Sequence, residues 1–229
     1  MRRWVALVAS LMPSIAGWGQ VWRGRTADWA SPPMSVLWIN GHQASFQHQT
    51  GSSTLDWSGW APGLMFSQPN LDLFLSWQPR AGGKRLEYWE AGGHLWGGLP
   101  VAPLWALEVP FGLFAGYRSV SPQGAMREGI SVSVLTFGGG LGWRPSIGRG
   151  LWGLLRAAPF GGLAFESFGL RNGRSLGFVA EVRLYTDRIG ASRWGLAFGA
   201  GYRHWRWVFE DSQLNYLWSD VRVSLGLSF

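Results

Sequence analysis

Apolar and polar residues alternate along much of this chain with the two-residue period of a β-strand, whose side chains point to opposite faces in turn. The pattern is plainest from Asn215 to Phe229. There Leu217, Val221, Val223, Leu225, Leu227 and Phe229 share one face, and Asp220, Arg222, Ser224, Gly226 and Ser228 share the other. The same alternation sets Leu71, Leu73, Leu75 and Trp77 against Asp72, Phe74, Ser76 and Gln78. Within 85–99 it sets Trp89, Ala91, Gly93, Leu95 and Leu99 against Tyr88, Glu90, His94 and Trp96. It predicts a long strand over 103–118, with Trp105 and Tyr117 at the ends of an apolar face and Glu108, Gly112, Gly116 and Arg118 opposite. Further strands follow at 130–143, 151–167, 175–187 and 193–209. Two earlier candidates, 35–47 and 54–66, alternate less cleanly. Val36, Trp38, Ala44 and Phe46 share a face with Asn40 and His42, and Pro62 interrupts the second. The count is about ten strands, or eight if those two are loop or plug.

Composition turns alternation into a class. Hydrophobic residues make up 47% of the chain and charged residues only 14%, below the roughly 25% of soluble domains. No apolar run after the N-terminus has the ~18 residues a membrane helix needs. A strand tilted about 45° crosses hydrocarbon in roughly ten residues. Arg2 and Arg3 precede an apolar stretch from Trp4 to Met12, followed by Pro13 and the small residues Ser14, Ala16 and Gly17, the three-part layout of a secretory signal peptide. The expected organisation is therefore a signal peptide over 1–19, a lead-in over 20–34 and a transmembrane antiparallel up-and-down β-barrel over 35–229. Cysteine is absent, so burial and hydrogen bonding alone must hold the fold. The formal charge of +7 favours anionic surfaces such as phosphorylated headgroups. The arginines are dispersed rather than striped, which argues against nucleic acid.

With a signal peptide, dyad alternation and the ending Val221-x-Val223-x-Leu225-x-Leu227-x-Phe229, the chain resembles the small outer-membrane β-barrels of Gram-negative bacteria, of the OmpA-like and OmpX-like kind. The resemblance implies a place in the cell outer membrane. It also implies that Phe229, with the apolar positions before it, acts as a signal to the barrel-assembly machinery. A periplasmic C-terminus would put the lead-in and the turns near 67–69, 100–103, 144–150 and 188–193 on the periplasmic side. Arg80, Lys84, Arg85, Arg127, Arg171, Arg174 and Arg206 would then lie near the outer rim, facing outer-membrane lipids and lipopolysaccharide phosphates.

No catalytic pattern is legible. The His-x-Ser-Asn of lipid A deacylases is missing, since Trp205 and Arg206 follow His204. None of His42, His48, His94 and His204 has the upstream Asp of an omptin-like pair. Glu90 and His94 face inward on one strand, but four residues separate their Cα atoms by roughly 13 Å. No metal-spaced cluster or cofactor motif appears. The inward charges say more. Asp72, Glu90, Glu108, Glu181 and Asp220 are balanced by Arg118, Arg183, Arg203 and Arg222, with Glu166 and Arg156 as additional candidates and His94 among them. Isolated charges in a narrow lumen are costly, so near-balance predicts a closed, cross-linked interior. The expected function is that of a structural, lipid-contacting or interaction module. A small porin-like channel and a lipid-modifying hydrolase are the alternatives.

Overall fold

The computed structural model describes residues 35–49, 51, 53–81, 84–102, 105–125, 128–148, 150–166, 171–186, 194–210 and 214–229. The expected signal peptide and lead-in lie outside these residues, as does Arg127. Strands run in order β1 Val36–His48, β2 Trp57–Gln68, β3 Leu71–Gln78, β4 Leu86–Ala102, β5 Leu107–Pro122, β6 Ile130–Gly139, β7 Leu141–Trp143, β8 Ser146–Gly148, β9 Leu151–Glu166, β10 Arg171–Thr186, β11 Gly195–Phe209 and β12 Tyr216–Ser228. Neighbours pair antiparallel, and β12 returns to β1 from Val36 opposite Ser228 to His48 opposite Tyr216. Among the described residues the sheet therefore has no free edge, the arrangement that removes the hazard of unpaired strand borders.

The closed cylinder has ten staves. β6 and β7 form one of them, because the register against β5 and β9 passes through both without a shift. Phe111 faces Gly139 and Leu107 faces Trp143, while Gly138 faces Phe160 and Leu141 faces Ala157. The ladder lapses at Gly140, beside Pro110 on β5 and Pro159 on β9, which have no N–H to donate. Gly140 itself donates its N–H to the Pro110 carbonyl at 2.9 Å. A Cβ added at Gly138 or Gly140 would collide with the Pro159 or Ala157 carbonyl, so the glycine triplet lets three backbones come close. β8 only folds back on the start of β9. The eight-strand alternative does not hold, since β1 and β2 are full staves.

From β3 onward the faces fall as the alternation predicts, with boundaries within a few residues of those expected. The predicted 103–118 strand begins instead at Leu107 and runs on to Pro122. β1 and β2 differ. Val36, Trp38, Ala44 and Phe46, and likewise Trp57, Ala61 and Met65, are buried in the lumen, while Leu37, Ile39, Trp60 and Leu64 face out. On this side of the barrel aromatic filling makes the inner face apolar as well, and the contrast between faces is lost.

The outer surface is a belt of aliphatic side chains, including Leu75, Leu113, Leu135, Leu163, Leu176, Val182, Val223 and Leu225. Its ends carry aromatics. At the end where Ser35 meets Phe229, Trp105, Trp143, Trp194 and Phe229 are exposed, and the Trp143 Nε1 donates to the Trp105 carbonyl at 2.9 Å. Toward the other end lie Trp60, Trp77 and Tyr202. An apolar band flanked by two aromatic girdles is the surface a bilayer requires of a barrel.

Candidate functional site

The lumen holds the chemistry of this molecule. Strand alternation aims the charged side chains inward, and the ring of ten staves decides which of them meet. Counting β6 and β7 as one, β3 and β10 stand five places apart, as do β4 and β11, so each pair lies on opposite walls. Asp72 on β3 receives two hydrogen bonds from Arg183 on β10, each 2.8 Å, and a third at 2.7 Å from Arg156 on β9. Glu181 joins this lower group through Arg183, at 2.7 Å, and through Arg156. Ser67 is shared between the Trp38 indole at 2.9 Å and Arg183 at 3.2 Å.

Farther from Phe229 along the barrel, Arg203 on β11 reaches Glu90 on β4 at 2.9 Å and grips both oxygens of Asp220 on β12, at 3.1 and 2.6 Å. Glu90 also accepts from Arg118 Nε at 2.9 Å and from the Tyr88 hydroxyl at 3.1 Å. His42, which alternation alone read as an impurity of the first strand, is buried with its Nδ1 3.5 Å from Asp220. Arg222 stands 3.6 Å from the same carboxylate. The guanidiniums lie over aromatic faces as well: Arg118 sits 4.0 Å from the Trp218 ring centre and Arg156 sits 3.7 Å from that of Trp96. Delocalised, weakly hydrated guanidinium suits such desolvated sandwiches better than ammonium would.

Among the described residues between the two rims, the carboxylates Asp72, Glu90, Glu181 and Asp220 face the guanidiniums of Arg118, Arg156, Arg183, Arg203 and Arg222. Glu108 stands apart at the end near Phe229, paired with Arg144 at 2.7 Å. Glu166 lies at the C-terminal end of β9, opposite Arg171. Arg156, only an additional candidate from sequence because its strand alternates poorly, is thus a central member.

Glu90 and His94 do not come together. Glu90 is held by Arg118, Arg203 and Tyr88, whereas His94 lies among Phe74, Phe114, Trp96 and Phe160, with ring centres 4.6 to 5.9 Å away. His42, Glu90 and Asp220 bring ligand-type atoms within 4.8 Å of one another. Arg118, Arg203 and Arg222 crowd that group with positive charge, which disfavours a metal cation. The five apolar side chains expected as an assembly motif face outward on β12 or just beyond it. The backbone of Phe229 exchanges two hydrogen bonds with Ser35, at 3.0 and 3.2 Å.

A closed cylinder with this belt and these girdles is built to stand in a bilayer. The protein is a transmembrane β-barrel. No protein-family model and no curated protein matches its sequence. Among solved structures it is similar to Neisserial surface protein A, at 12% identity and a TM-score of 0.34 over 85% of this chain and 97% of that one. It is also similar to the outer membrane protease OmpT of Escherichia coli, at 8% identity and 0.41 over 87% and 97%. A third is the attachment invasion locus protein Ail of Yersinia pestis, at 14% identity and 0.30 over 86% and 99%. These likenesses are of general architecture. The barrel's lumen chemistry is read from its own residues.

Proposed function

We propose that this barrel is a non-enzymatic structural module of the Gram-negative outer membrane, sealed to solutes along its axis and in contact with anionic lipid headgroups at its outer rim. The observation that carries the reading is the pair of diametric links, Asp72 to Arg183 and Glu90 to Arg203, which join opposite walls at two heights. Buried aromatics such as Trp96, Phe114, Trp205 and Trp218 pack around them. A selective pore would instead line an open path with one sign of charge.

For the lipid contact, Arg174 and Arg206 offer an outward pair on adjacent strands just above the belt. Arg174 faces Val208 and Arg206 faces Leu176 in the register, which makes the two arginines diagonal neighbours. Lipopolysaccharide phosphates fit their bidentate donors. The outward side chains of Val221, Val223, Leu225 and Leu227, with Phe229, serve in this reading as the signal to the barrel-assembly machinery.

Recordings from purified protein in planar bilayers test the sealed lumen. Wild type should give no steady conductance, and the quadruple variant Asp72→Ser, Glu90→Ser, Arg183→Ser, Arg203→Ser should open one. Steady openings of the wild-type barrel would reject the proposal. The lipid arm predicts that Arg174→Gln with Arg206→Gln lowers the lipopolysaccharide that copurifies, with no change in folding.

A further inference from the structure

Beside β11 the filling of the lumen is incomplete. β11 turns Gly199 and Gly201 inward, opposite Ser224 and Arg222 of β12. With no side chains there, a cavity of about 30 Å³ remains, bordered by Arg222, Arg203, Ser224 and His94. That is room for one or two water-sized particles.

The charge around this space is unbalanced. Asp72 and Glu181 also border it, but Arg183 and Arg156 already hold them. Asp220 has both oxygens on Arg203, so its 3.6 Å approach to Arg222 is too long for a hydrogen bond. Arg222 otherwise makes a 3.5 Å approach of Nη1 to the Met65 sulfur, a weak acceptor, and lies 5.7 Å from the Phe74 ring centre. Arg222 Nε and Arg203 Nη1 are buried with no hydrogen-bond partner. Guanidinium does not deprotonate in proteins, so the surplus charge persists at every working pH. A buried charge is tolerable only when something of opposite sign or strong dipole meets it.

We propose that this cavity is a binding site for one small monovalent anion of halide size, held between the Arg222 and Arg203 guanidiniums. One such ion restores neutrality between the rims, gives an acceptor to the two orphaned N–H groups and fits the volume that Gly199 and Gly201 leave. A cation would meet two arginines.

The site is tested on the whole barrel refolded and crystallised in sodium bromide. Anomalous diffraction should place a bromide peak within contact distance of Arg222 and Arg203. In solution, the thermal midpoint of the folded barrel should be higher in chloride than in gluconate at equal ionic strength, and should rise with chloride concentration as linkage requires. Arg222→Gln should abolish the difference between the salts. Gly199→Ala keeps every charge, and its added Cβ would lie 3.4 Å from the Trp38 ring, in ordinary contact. By narrowing the cavity it should reduce the chloride effect. No lumen bromide peak, together with equal wild-type midpoints in the two salts, would overturn the proposal in favour of water. The bromide map decides on wild-type protein alone if Arg222→Gln does not fold.

Discussion

Replacing Arg203 by methionine would leave Glu90 and Asp220 buried with fewer than half of their closest donors, because one guanidinium serves both carboxylates. Removing one partner from a buried charge network costs about 3–5 kcal/mol. A loss of that size should appear as a lowered urea midpoint for the barrel in lipid vesicles. A change below about 1 kcal/mol, the scale of surface pairs, would mean that water already screens the lumen. At the Phe229 end of the barrel, Ala106 stands alone among described non-glycine residues with a positive φ, 55°. The left-handed region costs an L-residue roughly 1–2 kcal/mol, so Ala106→Gly should raise the same midpoint slightly. Its carbonyl, which accepts the Arg144 N–H at 2.9 Å, belongs to the backbone and survives the change.

On the scale of single strands, facing is the property most open to test. Leu225 projects into the belt and Ser224 into the lumen, though they are neighbours on β12. Leu225→Arg should cost about 2–4 kcal/mol at the level of the bilayer midplane and lower the yield of assembled barrel, whereas Leu225→Ile should not. Facing of this kind is readable from Leu71 onward, because there the inner positions are charged, small or aromatic while the outer ones across the belt are apolar. It was unreadable in β1 and β2. Trp38, Phe46 and Trp57 fill the lumen on that side, and two apolar faces leave no contrast. Alternation also fixes a side chain's wall but not its height or its partner. That Asp72 would meet Arg183, 111 residues away, depends on ring size and stagger, which no local pattern encodes. For the same reason His42 looked like a flaw in a strand until Asp220 appeared beside it.

At the scale of the whole barrel, ring closure rests on β1 and β12, whose outward residues Ile39 and Leu225 are direct partners. The chain has no cysteine, so Ile39→Cys with Leu225→Cys introduces a single possible bridge. Oxidation should link them and keep the folded electrophoretic mobility to higher temperature, and reductant should reverse this. Failure to cross-link would place the closure in another register. The seam also imposes an order of events. β12 leaves the ribosome after every other stave, so the cylinder cannot close before β12 exists, and until then its two borders match each other as well within one molecule as between two. Until those borders join, the arginines and carboxylates of facing walls remain strangers in water, and they become neighbours only when the cylinder shuts.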